Sequence, residues 1–146
     1  MAGRIFTRKQ LIRHGHTDPA GIVYYPRYFE MINDTVEDFF REAMERPFGQ
    51  MHTIEKIGVP TVQIAVEFQK PSYCDDVLDM GLVIERLGKS SATICVKALC
   101  GGEVRLSAIL TIVQTNLETM KSIPFSGPMR VMLSEYVVDT GQTETI

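Results

Sequence analysis

The segment Thr17–Tyr28 places a carboxylate in a rigid turn just before a predicted helix. The proline that follows Asp18 biases it toward an extended conformation, and Gly21 lets the backbone bend, so we expect the carboxylate to be held in place. Pro26 suits the first position of a helix, where free amides such as that of Tyr25 carry a partial positive charge. A carboxylate facing free amides is a workable pair for acyl transfer, because both a base or nucleophile and oxyanion donors are then present.

Other interpretations of these polar residues stay open. An Asp in a turn with Pro and Gly often accepts a hydrogen bond from its own backbone. On an extended strand, His14 and His16 would share a face with Asp18 and could ligate a metal ion. No fourth ligand is evident in the sequence, so the sequence favours two other uses of the imidazoles. These are a hydrogen bond to Asp18 or to a substrate phosphate, or a structural role.

The hydrophobic pattern predicts one long helix and a run of strands. Between Pro26 and Arg46 apolar residues recur at helical spacing, and a strand is expected near residues 8–13. Period-two alternation predicts four further strands, within 61–69, 78–85, 91–98 and 104–112, with a hairpin turn at Gly101 and Gly102. Short connections favour an antiparallel sheet whose apolar face is covered by the helix, which is an α+β arrangement.

Composition predicts one domain over residues 1–146, with a core of about 4–138 and a disordered polar tail at 139–146. The net charge of −3 and the absence of a basic block argue against nucleic-acid binding. No apolar run follows the first basic residues, so neither a signal peptide nor a membrane segment is expected. Three cysteines without zinc spacing indicate reduced thiols and a cytoplasmic location.

Two stretches of the chain resemble a known family, the 4-hydroxybenzoyl-CoA thioesterases of the hotdog fold. The residues that carry the resemblance are Asp18–Val23, Tyr24, Tyr25, Pro26, Tyr28 and the later run Ser72–Leu78. The order and spacing of the remaining elements fit that family from about Lys9 to Gln114. The resemblance implies a hotdog fold, in which an antiparallel sheet wraps around one long central helix.

The resemblance also implies an activity, the hydrolysis of a small aromatic or short-chain acyl-CoA. In that family the residue matched by Asp18 acts as the nucleophile or as the base that activates water, and both roles stay open here. The amide of Tyr25 would polarise the thioester carbonyl. No metal and no cofactor are implied, since coenzyme A is part of the substrate. His14–Thr17 replaces a stretch that holds an acidic residue in the family, which makes His16 a further candidate.

The same resemblance suggests where the substrate would bind. Tyr24 and Tyr28 could line the acyl pocket or simply pack on the helix. The turn with Arg86, Lys89 and Ser90 could hold the coenzyme A phosphates, although ordinary surface charge explains each of them equally well. Hotdog proteins of this kind place the site between subunits. A partner's residues near Pro60 and Gln63 would then complete it, in a homodimer or homotetramer.

Three other functions compete with hydrolysis by a carboxylate. A hotdog hydratase or dehydratase would need His16 as a base paired with Asp18. A non-catalytic module would bind acyl thioesters or a protein without turnover. A metal-dependent hydrolase would use the two histidines. The acyl group and the choice between coenzyme A and an acyl carrier protein are not determined by the sequence.

Overall fold

A five-stranded antiparallel sheet packs against one long helix in the computed structural model, which describes residues 3–138. The α-helices are α1 (Tyr25–Asp38), α2 (Phe48–Gln50) and α3 (Gly127–Ser134). The strands are β1 (Phe6–Leu11), β2 (Ile57–Gly58), β3 (Thr61–Phe68), β4 (Val77–Leu87), β5 (Ser91–Cys100), β6 (Glu103–Val113), β7 (Thr115–Asn116) and β8 (Lys121–Ser122). The predicted α+β arrangement is therefore confirmed.

The long helix α1 begins at Tyr25, one residue earlier than predicted, so that Pro26 occupies its second position. Proline is tolerated there because the first N–H groups of a helix have no intrahelical partner. The helix continues beyond Asp38 as a π-helical segment over Phe39–Ala43, which ends short of the predicted limit at Arg46. The sequence pattern did not predict this wider turn.

The main sheet has the strand order β1-β4-β5-β6-β3, and every neighbouring pair is antiparallel. Gly101 and Gly102 connect β5 to β6, as predicted, with φ angles of 56° and 82°. Both angles lie in the left-handed region, which glycine adopts without a steric penalty. The inner face of the sheet and α1 form one core, which includes Phe39 and Phe40 at 0% exposure.

The edge strand β3 is exposed along nearly all its length. Ile64, Val66 and Phe68 face the core side of the sheet, since Ile64 pairs with Leu110 and Phe68 with Leu106, both buried. Ile64 and Phe68 are nevertheless open to solvent, at 37% and 49% exposure, and Val62, at a register shift near the start of the strand, is 62% exposed. An apolar edge strand with free backbone groups is a site for association with another strand.

Some predictions concern residues that the structure leaves undescribed. The expected disordered tail at 139–146 lies outside residues 3–138. Within residues 3–138, none of the helices has the length and apolar character needed to cross a bilayer.

Candidate active site

Asp18 lies in a tight turn that folds the chain back before α1. The Asp18 N–H donates to the Ile22 carbonyl at 2.9 Å, and the Gly21 N–H donates to the Asp18 carbonyl at 2.9 Å. Gly21 has a φ of 83°, which explains the glycine at this position. The carboxylate accepts the Ala20 N–H at 2.8 Å, so the local hydrogen bond expected of an Asp in such a turn is present. This bond occupies one oxygen, Oδ1, and fixes the direction of the side chain.

The start of α1 supplies a donor next to this turn. The chain reaches Tyr25 through a short antiparallel pairing of Thr17 with Val23, so the helix start is tied to the Asp18 turn. The Tyr24 N–H donates to the His16 carbonyl at 2.9 Å, and Pro26 has no N–H. Within residues 3–138 the Tyr25 N–H donates no hydrogen bond. It is therefore available to a ligand, and the helix dipole adds positive potential there.

The histidines before Asp18 are not on a strand, which corrects the extended conformation expected for them. His14–His16 form one turn of 3-10 helix, because the His16 N–H donates to the Arg13 carbonyl and the Thr17 N–H to the His14 carbonyl. The predicted alternation of His14, His16 and Asp18 on one face is thus wrong. The His16 Nδ1 accepts the Arg13 N–H at 2.9 Å, so this ring nitrogen holds the turn and is not available to Asp18.

Across residues 3–138, His, Cys, Asp and Glu side chains form no group of three that could hold a metal ion. The two histidines do not share a face because they lie in a 3-10 turn, which separates side chains that a strand would have placed on one side.

An aromatic cluster lies between the start of α1 and the end of β3. The Phe68 ring is 6.2 Å from that of Tyr25, 5.7 Å from that of Tyr28 and 6.5 Å from that of Phe29. A cavity of about 320 Å³ opens beside it. Its lining includes Ile22, Val23, Tyr25, Tyr28, Phe68 and Lys70. This volume is in the range of small-molecule sites, and aromatic walls suit a planar apolar group.

The two tyrosines expected at an acyl pocket differ in placement. Tyr28 is buried at 5% exposure and lines the cavity, while its hydroxyl has no hydrogen-bond partner in the described part of the chain. Tyr24 is half exposed and contacts the Tyr25 ring at a centroid distance of 5.7 Å. It does not line this cavity.

Within one chain, the other predicted substrate-binding residues lie at the end of the sheet that is far from Asp18. The Ser90 carbonyl accepts the Gln114 N–H at 2.7 Å, and the Pro60 carbonyl accepts the Val113 N–H at 3.1 Å. Both contacts mark the end where β3 begins, whereas Asp18 lies near the end where β3 stops. Arg86, Lys89, Ser90, Pro60 and Gln63 are therefore not brought to Asp18 in a single copy. Pro60 instead lines a separate cavity of about 430 Å³.

Sequence reasoning missed two parts of this site. Phe68 falls within the predicted strand 61–69 and Lys70 just after it, and neither residue was predicted to belong to the site, although both line the cavity. Loop 71–76 contacts the Asp18 turn, because the Val23 N–H donates to the Ser72 carbonyl at 3.0 Å and Ile22 pairs with Tyr73. The similarity of Ser72–Leu78 to the thioesterases was the signal that could have identified this loop.

Comparisons with known proteins agree with this arrangement. A family model described as the thioesterase-like superfamily matches residues 12–133. A 1,4-dihydroxy-2-naphthoyl-CoA hydrolase of Prochlorococcus marinus is 26% identical over 137 residues, which cover 87% of this chain and 86% of that protein. A 4-hydroxybenzoyl-CoA thioesterase of Pseudomonas sp. is 30% identical over 90 residues, covering 60% of this chain and 63% of that protein.

A solved structure shows the same fold. It is a 1,4-dihydroxy-2-naphthoyl-CoA thioesterase from Synechocystis, which superimposes with a TM-score of 0.81 at 19% identity. The match covers 89% of this chain and 96% of the other. The predicted hotdog fold is thereby confirmed.

Proposed function

The chain belongs to the thioesterase-like superfamily, and from this membership and the site we propose that it hydrolyses the thioester of a small aromatic or short-chain acyl-CoA. The observation that carries the proposal is the Asp18 carboxylate, fixed in a turn that is tied to a helix start with a free Tyr25 N–H. Thioester hydrolysis needs these two groups and water. Coenzyme A enters as part of the substrate, and the proposal includes no further cofactor.

In the proposed reaction, the Tyr25 N–H donates a hydrogen bond to the thioester carbonyl oxygen as negative charge develops there. Asp18 either removes a proton from the attacking water or attacks the carbonyl carbon itself to give an anhydride, which water then hydrolyses. In both forms the carbon–sulfur bond breaks, and the coenzyme A thiolate leaves and takes up a proton that the water supplies. The carboxylic acid and the thiol are the products.

The cavity beside Phe68 supports the proposal that the substrate carries an aromatic or short acyl group. Its walls are aromatic and its volume is about 320 Å³, which is near the lower limit of drug-sized sites. Lys70 also lines this cavity, and its ammonium donates to Glu103 at 3.0 Å. The His16 Nδ1 accepts the Arg13 N–H, and within residues 3–138 no hydrogen bond joins His16 to Asp18, so the hydrogen bonds do not favour the hydratase alternative.

Thiol release from a panel of acyl-CoAs tests the proposed substrate class. The panel would contain acetyl, longer aliphatic, benzoyl, hydroxybenzoyl and phenylacetyl thioesters. We expect the highest kcat/KM for an aromatic or short-chain member and at least about tenfold lower values for long aliphatic chains, which is roughly 1.4 kcal/mol of discrimination. Absence of thiol release from every member would contradict the proposal and favour the non-catalytic binding module.

The proposed enzyme is at least a homodimer joined through β3, with a homotetramer as the larger alternative. If two β3 strands pair antiparallel about a twofold axis, the start of one strand meets the end of the other. The partner's Pro60 and the partner's Gln63 would then approach Phe68 and Tyr25. The partner's Lys89 and the partner's Ser90 lie at that same end of the sheet and would come toward the coenzyme A phosphates.

A Val62→Lys variant tests this assembly. Val62 is 62% exposed, so a lysine costs little in the separate copy, whereas it would place a charge in the paired edge. Because the dimer contains the substitution twice, at about 2 kcal/mol each, the dimer Kd should rise roughly 1000-fold. Analytical ultracentrifugation should show monomers, and thiol release should fall with the loss of dimer.

Val131→Lys is the matched control for the edge variant. Val131 lies on α3 with 65% exposure, close to that of Val62, but far from the edge strand in the fold. We expect it to keep both the native mass of the dimer and native activity. A dimer that survives Val62→Lys with unchanged Kd would contradict association through β3.

A further inference from the structure

Arg105 on β6 is the centre of a polar network that reaches loop 71–76. Its side chain is only 12% exposed. One terminal nitrogen donates to the Asp76 carboxylate at 2.8 Å, to the Ser72 hydroxyl at 3.1 Å and to the Pro71 carbonyl at 3.1 Å. The Nε atom donates to Glu103 at 2.9 Å. Three of these four bonds hold one short loop.

Asp76 completes the network from the loop side. Its Oδ2 accepts the Tyr73 N–H at 2.9 Å as well as the Arg105 guanidinium. The Tyr73 N–H and then Arg105 lower the pKa of Asp76, and the bond from Asp76 raises the pKa of Arg105. Both side chains are therefore charged near neutral pH. A partly buried pair of this kind is costly to break from one side, because the other charge loses its partner.

The loop in turn contacts the segment between Asp18 and α1. The Ser72 carbonyl accepts the Val23 N–H at 3.0 Å, and Ile22 pairs with Tyr73. The Ile22 carbonyl accepts the Asp18 N–H, and Val23 pairs with Thr17. A continuous set of hydrogen bonds thus leads from Arg105 to Asp18 and to Val23, which lies two residues before Tyr25.

We propose that Arg105 and Asp76 are positioning residues, which fix loop 71–76 and thereby set the Asp18 carboxylate and the Tyr25 N–H at the spacing that hydrolysis needs. This inference rests on the proposed function of the site. Neither residue lines the cavity beside Phe68, so neither is part of the wall of the proposed acyl pocket. Small displacements suffice for a large effect, because an error of about 1 Å in the placement of reacting groups can lower a rate about 100-fold.

The test compares Arg105→Gln, Arg105→Lys, Asp76→Asn and the double variant Arg105→Gln/Asp76→Asn, all assayed well below their melting temperatures. We expect Arg105→Gln and Asp76→Asn to lower kcat about 10- to 100-fold while KM changes less than about threefold, since substrate contacts are kept. The double variant should be no worse than Arg105→Gln, because the two residues act as one unit. Arg105→Lys should be intermediate, since a single ammonium cannot serve all four acceptors.

Arg8→Gln is the matched control. Arg8 is 15% exposed and also bonds a backbone carbonyl, but it donates to Thr35 and Met31 on α1 and to Gln10 on its own strand, outside the Asp18 turn and loop 71–76. It should lower the melting temperature and leave kcat within about threefold of native, because its contacts are not part of the set that reaches Asp18. An equal loss of kcat in Arg8→Gln would overturn the positioning role, as would a folded Arg105→Gln with native kcat.

Amide hydrogen exchange supplies a readout that does not depend on turnover. In Arg105→Gln, the amides of Asp18 and Val23 should exchange at least about tenfold faster than in the native protein, whereas Arg8→Gln should leave them unchanged. Unchanged exchange in Arg105→Gln would overturn the inference. If Arg105→Gln does not fold, Asp76→Asn carries the same test, because the Asn oxygen still accepts the Tyr73 N–H. Failure of the proposed function is distinct, since it would appear as an inactive native protein or as an active Asp18→Asn variant.

Discussion

Replacing Asp18 with Asn should lower kcat for thioester hydrolysis about 100- to 10,000-fold, the range for loss of a positioned acid or base. An amide can neither take a proton from water nor attack a carbonyl carbon, so both proposed roles of the carboxylate are removed. The turn itself should survive, because the Asn oxygen can still accept the Ala20 N–H that Asp18 accepts at 2.8 Å. Thiol release under saturating acyl-CoA measures the effect.

Asp79→Asn is the control for this substitution. Asp79 forms an ion pair with Lys9 on the exposed side of the sheet, and pairs of this kind contribute little to stability. The same change of carboxylate to amide should therefore leave kcat within about twofold of native. Native kcat in a folded Asp18→Asn variant would exclude Asp18 as the catalytic carboxylate.

Replacing Tyr25 with Pro should remove the oxyanion donor and lower kcat about 100- to 1000-fold, the cost of losing one such donor. Proline lacks an N–H but is accepted at the first position of a helix, which Tyr25 occupies. Tyr24 already has extended angles, with φ of −69° and ψ of 122°, which suit a residue before proline. The helix start should thus keep its path while the N–H of residue 25 is lost.

Tyr25→Ala separates the side chain from the backbone. It removes the ring that packs on Phe68 but retains the N–H, so its kcat should stay much closer to native. The informative quantity is the ratio of kcat between Tyr25→Ala and Tyr25→Pro, with circular dichroism to check helix content. Equal kcat in the two variants would show that the Tyr25 N–H does not stabilise the transition state.

The fold was predictable because its elements are locally encoded. Strands β4 to β6 show period-two alternation, and Gly101 and Gly102 mark the hairpin that joins two of them. The same alternation in β3 predicted a strand but not its exposure, since a pattern shows which side chains share a face and not whether another element covers that face. The π-helical turn after Asp38 likewise has no signature in the spacing of apolar residues.

The parts of the site that depend on the backbone preferences of glycine and proline could be predicted from the sequence. The parts that depend on contacts between distant residues could not. Gly21 and Pro26 indicated the Asp18 turn and the helix start. The 3-10 turn at His14–His16 was missed because it is held by a bond between the Arg13 N–H and the His16 ring, which no pattern encodes. Arg105 and Asp76 lie 29 positions apart, so only the folded chain brings them together.

The most direct test is a crystal structure of Asp18→Asn with its best aromatic acyl-CoA, which this variant should retain without hydrolysis. We expect the thioester carbonyl oxygen to lie about 2.7–3.1 Å from the Tyr25 nitrogen, the distance of an oxyanion donor. The carbonyl carbon should face the side-chain amide that replaces the Asp18 carboxylate, and the acyl group should occupy the cavity beside Phe68. An ordered thioester whose carbonyl points away from Tyr25, toward other donors, would contradict the proposed mechanism.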